Sequence, residues 1–150
     1  MDSVVTENGI HRLPVRVYYE DTDAGGIVFY GNYLKFAERA RTELLRTFGI
    51  ENSNVSARDG TAFVVRTCKI DYLRPAHLDD QLTVETRVLE IGGASMTLSQ
   101  NVLRDDETLT EMEVRLVCMH IEGDTKGKAT RIPADVREAL ERFSGLESAR

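Results

Sequence analysis

One stretch of this chain has the pattern of a long helix that is buried along one face. From Tyr33 onwards, apolar or small side chains recur at spacings of three and four residues, which is the period of an α-helix. They are Tyr33, Ala37, Ala40, Leu44 and Phe48. The two alanines let the helix axis lie close to its neighbour, and Gly49 predicts a left-handed helix end. This is the longest helical pattern in the chain, so the rest of the fold is expected to be built around it.

Most of the other segments alternate between apolar and polar residues, which predicts β-strands. The predicted strands are residues 13–19, 61–73, 81–91, 94–104 and 108–121. Turn signals separate them, among them the Gly92-Gly93 pair. Alternation with one polar face predicts an antiparallel sheet that is packed on one side. Only one long helix is available to cover five strands, so we expect an α+β fold in which the sheet curves around the helix, with uncovered edges that favour an oligomer.

The remaining segments are expected to connect or extend these elements. Residues 1–10 are interpreted as a loose tail, and the polar, turn-rich residues 51–60 as a connection. A second helix is predicted over residues 133–143, with Pro133 at its first position. At 150 residues, the chain is most simply a single domain, 1–150.

Composition argues against several function classes. The net charge of −6 and the isoelectric point near 5.1 argue against a nucleic-acid binder, which needs a basic face. Residues 1–14 are too polar for a signal peptide, and no apolar run approaches the ~20 residues that span a bilayer. Cys68 and Cys118 lie in strand-like runs without metal-ligand spacing, so both are expected to be buried free thiols in a reducing compartment. We therefore expect a cytoplasmic protein without a membrane span.

An acidic loop leads into the long helix. It contains Glu20, Asp21 and Asp23, followed by Gly25 and Gly26. Glycines let a backbone bend tightly and approach a ligand closely, and a helix N-terminus offers free N–H groups at the positive end of its dipole. A carboxylate beside such an end is an arrangement that can carry chemistry.

Three motifs of the chain resemble those of the hotdog-fold acyl-CoA thioesterases, and more narrowly the 4-hydroxybenzoyl-CoA thioesterase family. They are DTDAGGIVFYGNY at 21–33, ERAR at 38–41 and DYLRPA at 71–76. Within the family, the bacterial YbgC-like branch, associated with the Tol–Pal envelope system, is the most similar. The resemblance covers most of the chain. It implies a curved five-stranded antiparallel sheet around one long helix, active sites between subunits, and a homodimer or a tetramer of two dimers.

The resemblance also implies the reaction and its residues. The expected activity is hydrolysis of an acyl-CoA thioester to a free acid and coenzyme A, without a metal or redox cofactor. Asp23 is implied to be either the nucleophile or the general base, and the sequence leaves both routes open. The oxyanion donors are implied to be the backbone N–H of Tyr30 and, as a second donor, that of Gly31. The residues implied to contact the substrate are Gly26, Phe63, Val64 and Val65.

Two departures from the family pattern affect these expectations. Many YbgC-like members have a histidine where this chain has Tyr30; a phenol with a pKa of ~10 is a poor base, whereas a backbone N–H role is unaffected. Some members also have a basic residue that meets the nucleotide in the turn that Gly92 and Gly93 occupy here.

Less specific interpretations compete for several polar residues. Asp21 is expected to cap a turn, and turn capping is also the alternative to catalysis for Asp23. Glu38 is expected to belong to the charged face of the helix with Arg41 or Arg39, and the alternative is that it approaches the site from a partner subunit. The three histidines have no metal-ligand spacing, and the basic residues that coenzyme A phosphates would need are by default surface charges. They are Arg66, Lys69 and Arg74.

Three functions remain open at this point. The first is the thioesterase, with either coenzyme A or acyl carrier protein as the carrier of the acyl group. The second is a hotdog dehydratase, which ranks low because such enzymes pair a histidine with an acid and no histidine is near Asp23 in the loop. The third is a non-catalytic acyl-thioester binder or partner subunit, which Tyr30 in place of histidine keeps open.

Overall fold

The computed structural model describes the backbone of Val4–Val5 and all of residues 8–148. Its strands are β1 (Val4–Val5), β2 (His11–Arg16), β3 (Thr61–Tyr72), β4 (Gln81–Ile91), β5 (Ser95–Arg104) and β6 (Glu107–His120). Its helices are α1 (Asn32–Arg46), α2 (Asn52–Asp59) and α3 (Ala134–Ser144), with a 3₁₀ turn at Tyr19–Asp21. None of these helices is long and apolar enough to cross a membrane.

The strands form one antiparallel sheet in the order β1-β2-β4-β5-β6-β3. Its five long strands confirm the predicted five-stranded antiparallel sheet. The two-residue β1 extends the sheet at one edge, where Val4 lies opposite Arg12. This pairing falls inside the segment interpreted as a loose tail, so that interpretation was wrong for Val4–Val5, while residues 1–3 and 6–7 lie outside the described residues.

Helix α1 is the centre of the core, as its periodicity predicted. The side chains that face the sheet are at most 3% exposed: Tyr33, Phe36, Ala37, Ala40 and Leu44. At the end of the helix Gly49 adopts a φ of +76°, and the N–H of Ile50 bonds the carbonyl of Leu45. A left-handed glycine therefore ends α1, as the sequence predicted.

Two local predictions were wrong. Residues 51–60 contain a helix, α2, that buries only Val55 and ends at Gly60 with a φ of +64°. A polar helix with one buried residue has almost no apolar period to detect, which is why the pattern indicated a connection. Pro133 precedes α3 as its N-cap, with extended backbone, and does not occupy the first helical position.

Strand β3 is an edge strand whose regular alternation is interrupted. Its pairing with β6 shifts register between Val65 and Thr67. Because of this bulge, the residues opposite the buried, even-numbered positions 110–118 of β6 are odd-numbered before it and even-numbered after it. They are Phe63, Val65, Cys68, Ile70 and Tyr72. Cys118 is buried as expected, but Cys68 is exposed, because an edge strand lacks a neighbour on one side.

Candidate active site

Asp21 joins the two ends of the acidic loop. Its carboxylate is 3% exposed; Oδ2 accepts the Tyr18 N–H at 2.9 Å and Oδ1 accepts the Asn32 side-chain N–H at 2.8 Å. The Phe29 N–H donates to its backbone carbonyl at 2.9 Å. A buried carboxylate that is bonded on both oxygens holds the start of α1 against the end of β2, so Asp21 orders the loop and is not available to a substrate.

Asp23 lies at the head of a tight turn and is exposed. The turn closes through the Gly26 N–H, which donates to the Asp23 carbonyl at 3.1 Å, and Gly26 adopts a φ of +79° that favours glycine. Within the carboxylate, Oδ1 accepts the N–H of Gly25 at 2.8 Å and that of Ile27 at 3.4 Å. Over the described residues, Oδ2 has no hydrogen-bond donor, so one oxygen of the carboxylate is held and the other is unbonded.

The connection between β3 and β4 supports this loop from behind. The Val28 N–H donates to the Ala76 carbonyl at 2.9 Å, and the Leu78 N–H donates to the Gly26 carbonyl at 3.0 Å. The Ala76 N–H in turn donates to the Tyr33 hydroxyl at 3.1 Å. The acidic loop is therefore fastened both to the sheet and to α1.

A charged cluster keeps that connection in place. Asp80 accepts the His77 N–H and an Arg104 N–H, each at 2.8 Å, and Arg104 also bonds Glu107 at 2.7 Å. Burial opposes ionisation of Asp80, but the His77 N–H and the Arg104 guanidinium outweigh it and hold the pKa of Asp80 below its ordinary value. The His77 imidazole lies towards Asp80, with Nδ1 at 3.8 Å from its carboxylate.

The start of α1 presents unpaired donors. Across the described residues, the backbone N–H groups of Tyr30 and Gly31 have no hydrogen-bond acceptor, as expected for the first turn of a helix. The Tyr72 hydroxyl donates to the Tyr30 carbonyl at 2.8 Å. In a trans peptide the carbonyl and the following N–H point in opposite directions, so this bond fixes the direction of the Gly31 N–H.

Aromatic rings surround this helix start. Phe29 and Tyr30 lie 4.7 Å apart, and the Tyr72 ring lies edge-on to Tyr30 at 6.4 Å and to Tyr33 at 5.6 Å. Burial raises the pKa of Tyr72, with smaller contributions from Cys68, Tyr30 and Tyr33, so its hydroxyl stays protonated and able to donate at neutral pH. The Tyr30 side chain is 66% exposed.

A cavity of about 330 Å³ opens further along α1, between that helix, α2, β3 and α3. Its walls are mainly apolar, including Leu44, Leu45, Leu98, Leu116 and Leu140. Phe63 and Val65 line it, whereas Val64 is 40% exposed on the opposite face of β3. The structure thus places Asp23 and Gly26 in the loop before α1, Tyr30 and Gly31 at the start of that helix, and Phe63 and Val65 at this cavity, apart from Val64.

The rim of the cavity carries polar residues of α1. Arg41 donates to Gln100 Oε1 at 3.0 Å, and Gln100 donates to the Ala37 carbonyl at 3.0 Å. Burial lowers the pKa of Arg41, and Glu38 partly offsets this. Glu38 lies exposed beside Arg39 and interacts electrostatically with Arg41, as expected for the charged face of the helix, although it forms no ion pair within 4.0 Å among the described residues.

Other predicted or possible site residues are dispersed. Arg74 bonds Glu107 at 2.7 Å in the cluster behind the loop, while Arg66 and Lys69 lie exposed on β3. Residues 8–148 contain no group of three or more His, Cys, Asp or Glu side chains that could hold a metal ion. Sequence reasoning did not identify Tyr72 or Asn32 as contributors, although both fall inside the motifs that carried the resemblance.

Comparison with known proteins agrees with this architecture. A family model described as the thioesterase superfamily matches residues 25–111. The acyl-CoA thioesterase YbgC of Haemophilus influenzae is 44% identical over 134 residues, which are 89% of this chain and 96% of that protein. A crystal structure of a probable thioesterase from Bartonella henselae is 35% identical with a TM-score of 0.76, and covers 83% of this chain and 99% of its own.

A more distant structure shares the fold. A 4-hydroxybenzoyl-CoA thioesterase variant in complex with 4-hydroxybenzoyl-CoA has a TM-score of 0.80 at 22% identity, over 87% of this chain and 98% of its own. With the family model matching more than half of the chain, these similarities confirm the predicted fold and family. The chain belongs to the thioesterase superfamily, has the hotdog fold and is a thioester hydrolase.

Proposed function

We propose that this protein hydrolyses acyl-CoA thioesters to a free acid and coenzyme A, with Asp23 acting at the carbonyl carbon and the start of α1 stabilising the oxyanion. The observation that carries the proposal is that an exposed carboxylate and two backbone N–H groups without an acceptor among the described residues occur within nine residues, in the loop and at the start of α1. The name of the Haemophilus influenzae relative, an acyl-CoA thioesterase, supports coenzyme A as the carrier. The carrier, the absence of a required cofactor and the cytoplasmic location stay predictions.

The hydrogen bonds of Asp23 suit a carboxylate that reacts through one oxygen. Oδ1 is bonded to the N–H groups of Gly25 and Ile27, which fixes the carboxylate in position, while Oδ2 accepts no hydrogen bond from the described residues. In the nucleophilic route, Oδ2 bonds to the carbonyl carbon, the C–S bond breaks and the thiolate takes a proton from water. A water molecule then hydrolyses the acyl–aspartyl anhydride and releases the acid.

In the general-base route, Oδ2 takes a proton from a water molecule as the water oxygen bonds to the carbonyl carbon. The same proton passes to the thiolate sulfur when the C–S bond breaks. In both routes negative charge develops on the former carbonyl oxygen. Backbone N–H groups that are already oriented, such as those of Tyr30 and Gly31, stabilise that charge without rearranging during the reaction.

The replacement of Asp23 by Asn tests the proposal, because an amide oxygen can keep the bonds to Gly25 and Ile27 while the negative charge is lost. We expect kcat to fall by about 10²-fold or more with an unchanged melting temperature, measured by thiol release from a panel of acyl-CoAs. Glu20→Gln, which alters an exposed acid in the same loop, is the matched control and keeps full activity. Undiminished turnover by Asp23→Asn would refute the assignment.

Mass spectrometry of protein quenched during turnover separates the two routes. The nucleophilic route adds the mass of the acyl group to the peptide that contains Asp23, whereas the general-base route leaves that peptide unmodified. Tight acyl-CoA binding without thiol release would favour the non-catalytic binder. A change in enoyl absorbance would favour the dehydratase, in which the imidazole of His77 would have to leave Asp80.

The same proposal includes a homodimer that pairs through β3. This twelve-residue strand has β6 on one side and no neighbouring strand on the other among the described residues. A long open edge with exposed apolar side chains favours pairing with another strand, and Val64, Val65, Tyr72 and Leu73 are each at least 40% exposed. Light scattering in solution distinguishes a dimer from a tetramer of two dimers and from a monomer.

A further inference from the structure

We propose, on the basis of the function proposed above, that Arg104 of β5 is a positioning residue for Asp23. It acts through the connection between β3 and β4, which lies behind the acidic loop, and keeps the Asp23 carboxylate in the position from which it reacts. Loss of Arg104 is then expected to lower kcat and to leave KM nearly unchanged.

Asp23 belongs to the first of three short antiparallel segments. Thr22 pairs with Val28, and Ile27 pairs with His77. The Asp23 N–H donates to the Ile27 carbonyl at 2.9 Å, and the Ile27 N–H donates to Asp23 Oδ1 at 3.4 Å. Ile27 is thus bonded to Asp23 on one side and paired with His77 on the other. A displacement at His77 is therefore passed to Asp23 through one intervening segment.

Arg104 bonds the connection on both sides of the third segment, which is residues 76–78. Its Nη1 donates to the Pro75 carbonyl at 3.3 Å and to Asp80 Oδ2 at 2.8 Å. The same Oδ2 accepts the His77 N–H at 2.8 Å. The backbone that pairs with the acidic loop therefore lies between two points that one guanidinium holds, so the position of Arg104 determines where this segment lies.

The charge of Arg104 has no permanent substitute at Asp80. Among the described residues, the other ion-pair partner of Asp80 is the His77 imidazole, whose Nδ1 is 3.8 Å away and which is charged only when protonated. The Asp80 side chain is 22% exposed, and without Arg104 a carboxylate buried to this extent would turn towards water and release the His77 N–H. The Val17 N–H still donates to the Asp80 carbonyl at 2.9 Å, so we expect residues 75–78 to shift locally without unfolding the protein.

Arg104→Met tests the proposal because it removes the guanidinium and keeps an unbranched side chain. Arg104→Lys is the conservative variant, which keeps the charge and a donor for Asp80. Arg12→Met is the matched control: Arg12 bonds Glu85 at 2.7 Å between β2 and β4, and among the described residues it bonds neither the acidic loop nor residues 75–80. Asp80→Asn serves as the second variant if Arg104→Met does not fold, as judged by its melting temperature.

Thiol release from an acyl-CoA gives kcat and KM for each protein. Misplacement of a reacting group by a distant mutation costs up to about 10²-fold, so we expect Arg104→Met to lower kcat by about tenfold with KM within about threefold. Arg104→Lys should recover most of this loss, and Arg12→Met should keep both constants within about twofold. The double variant Arg104→Met/Asp80→Asn should be within about twofold of the slower single variant, because both changes remove the same contact. Losses that multiply would overturn the action through Asp80.

Glycine amides report the position of the Asp23 turn without turnover. The Gly25 N–H bonds Asp23 Oδ1 and the Gly26 N–H bonds the Asp23 carbonyl, so the resonances of both amides depend on where Asp23 lies. In spectra of protein with isotopically labelled glycine, we expect Arg104→Met to shift both resonances and to leave that of Gly145, at the end of α3, unchanged. Arg12→Met should shift neither Gly25 nor Gly26.

The kinetic and spectroscopic measurements together separate this inference from the proposed reaction. Shifted Gly25 and Gly26 resonances with a reduced kcat support the proposal. Unshifted resonances overturn it whatever happens to kcat, and so do shifted resonances with an unchanged kcat when Asp23→Asn has lost turnover. If Asp23→Asn keeps full turnover, the proposed reaction fails, while the glycine resonances still decide whether Arg104 holds the turn.

Discussion

The Tyr72 hydroxyl should contribute to catalysis although it contacts only the backbone. Its hydrogen bond of 2.8 Å to the Tyr30 carbonyl orients the peptide that carries the Gly31 N–H, one of the two proposed oxyanion donors. A bonded carbonyl also polarises its own peptide, which strengthens the N–H at the other end. Tyr72→Phe removes this bond and keeps the ring that packs against Tyr30 and Tyr33.

The expected loss follows from the size of one such bond. Removal of an oxyanion donor costs ~10²–10³ in kcat, and a neutral hydrogen bond is worth about 0.5–1.5 kcal/mol. Since Tyr72→Phe weakens the orientation of a donor without removing it, we expect kcat to fall by about tenfold, which corresponds to about 1.4 kcal/mol. KM should stay within twofold, because the oxyanion exists only after the substrate has bound.

Steady-state thiol release gives kcat and KM separately and so tests this reasoning. Tyr19→Phe is the matched control: it removes a hydroxyl from a side chain that is 81% exposed, and it should leave both constants unchanged. An unchanged kcat in Tyr72→Phe would refute the role of the Tyr30 carbonyl bond. An increase in KM alone would assign Tyr72 to substrate binding and not to the oxyanion.

Two further predictions concern stability. His11 is 0% exposed, neither ring nitrogen has a partner among the described residues, and burial lowers its pKa to about 4. As the pH falls, the unfolded chain therefore binds a proton at this histidine before the folded protein does, and the unfolding free energy should fall by about 3 kcal/mol between pH 6.5 and pH 4. In urea titrations, His11→Phe should flatten this pH dependence. Asn32→Ala should lower the unfolding free energy by about 2 kcal/mol because it leaves a buried oxygen of Asp21 without its donor; thermal denaturation with an unshifted midpoint would contradict this.

The periodic parts of the fold were predictable from sequence because burial on one face leaves a repeating pattern. The apolar stripe of α1, the five long strands and the glycine that ends α1 all have this local origin. Helix α2 was not predictable in the same way, since Val55 is its only buried residue and its remaining contacts are set by tertiary packing. The two-residue β1 pairs with β2 and is too short to show an alternating pattern.

The candidate site was predictable where a motif places its residues within one loop. Asp23, Gly26, Tyr30 and Gly31 lie within nine positions of sequence, in the loop and at the start of α1. The different roles of Asp21 and Asp23 depend on Asn32, whose side chain donates to the buried carboxylate of Asp21, eleven residues earlier in the chain. No local rule assigns that partner, because it follows from where α1 packs against the sheet.

The direction of the Tyr72 side chain could not be predicted from a regular strand pattern. A strand with strict alternation from Phe63 would turn residues 65, 67, 69 and 71 towards the helix and would point Tyr72 away from it. The register shift after Val65 reverses that assignment, so Cys68, Ile70 and Tyr72 face α1 while Asp71 faces outward. One additional residue in an edge strand thus brings a hydroxyl to the Tyr30 carbonyl.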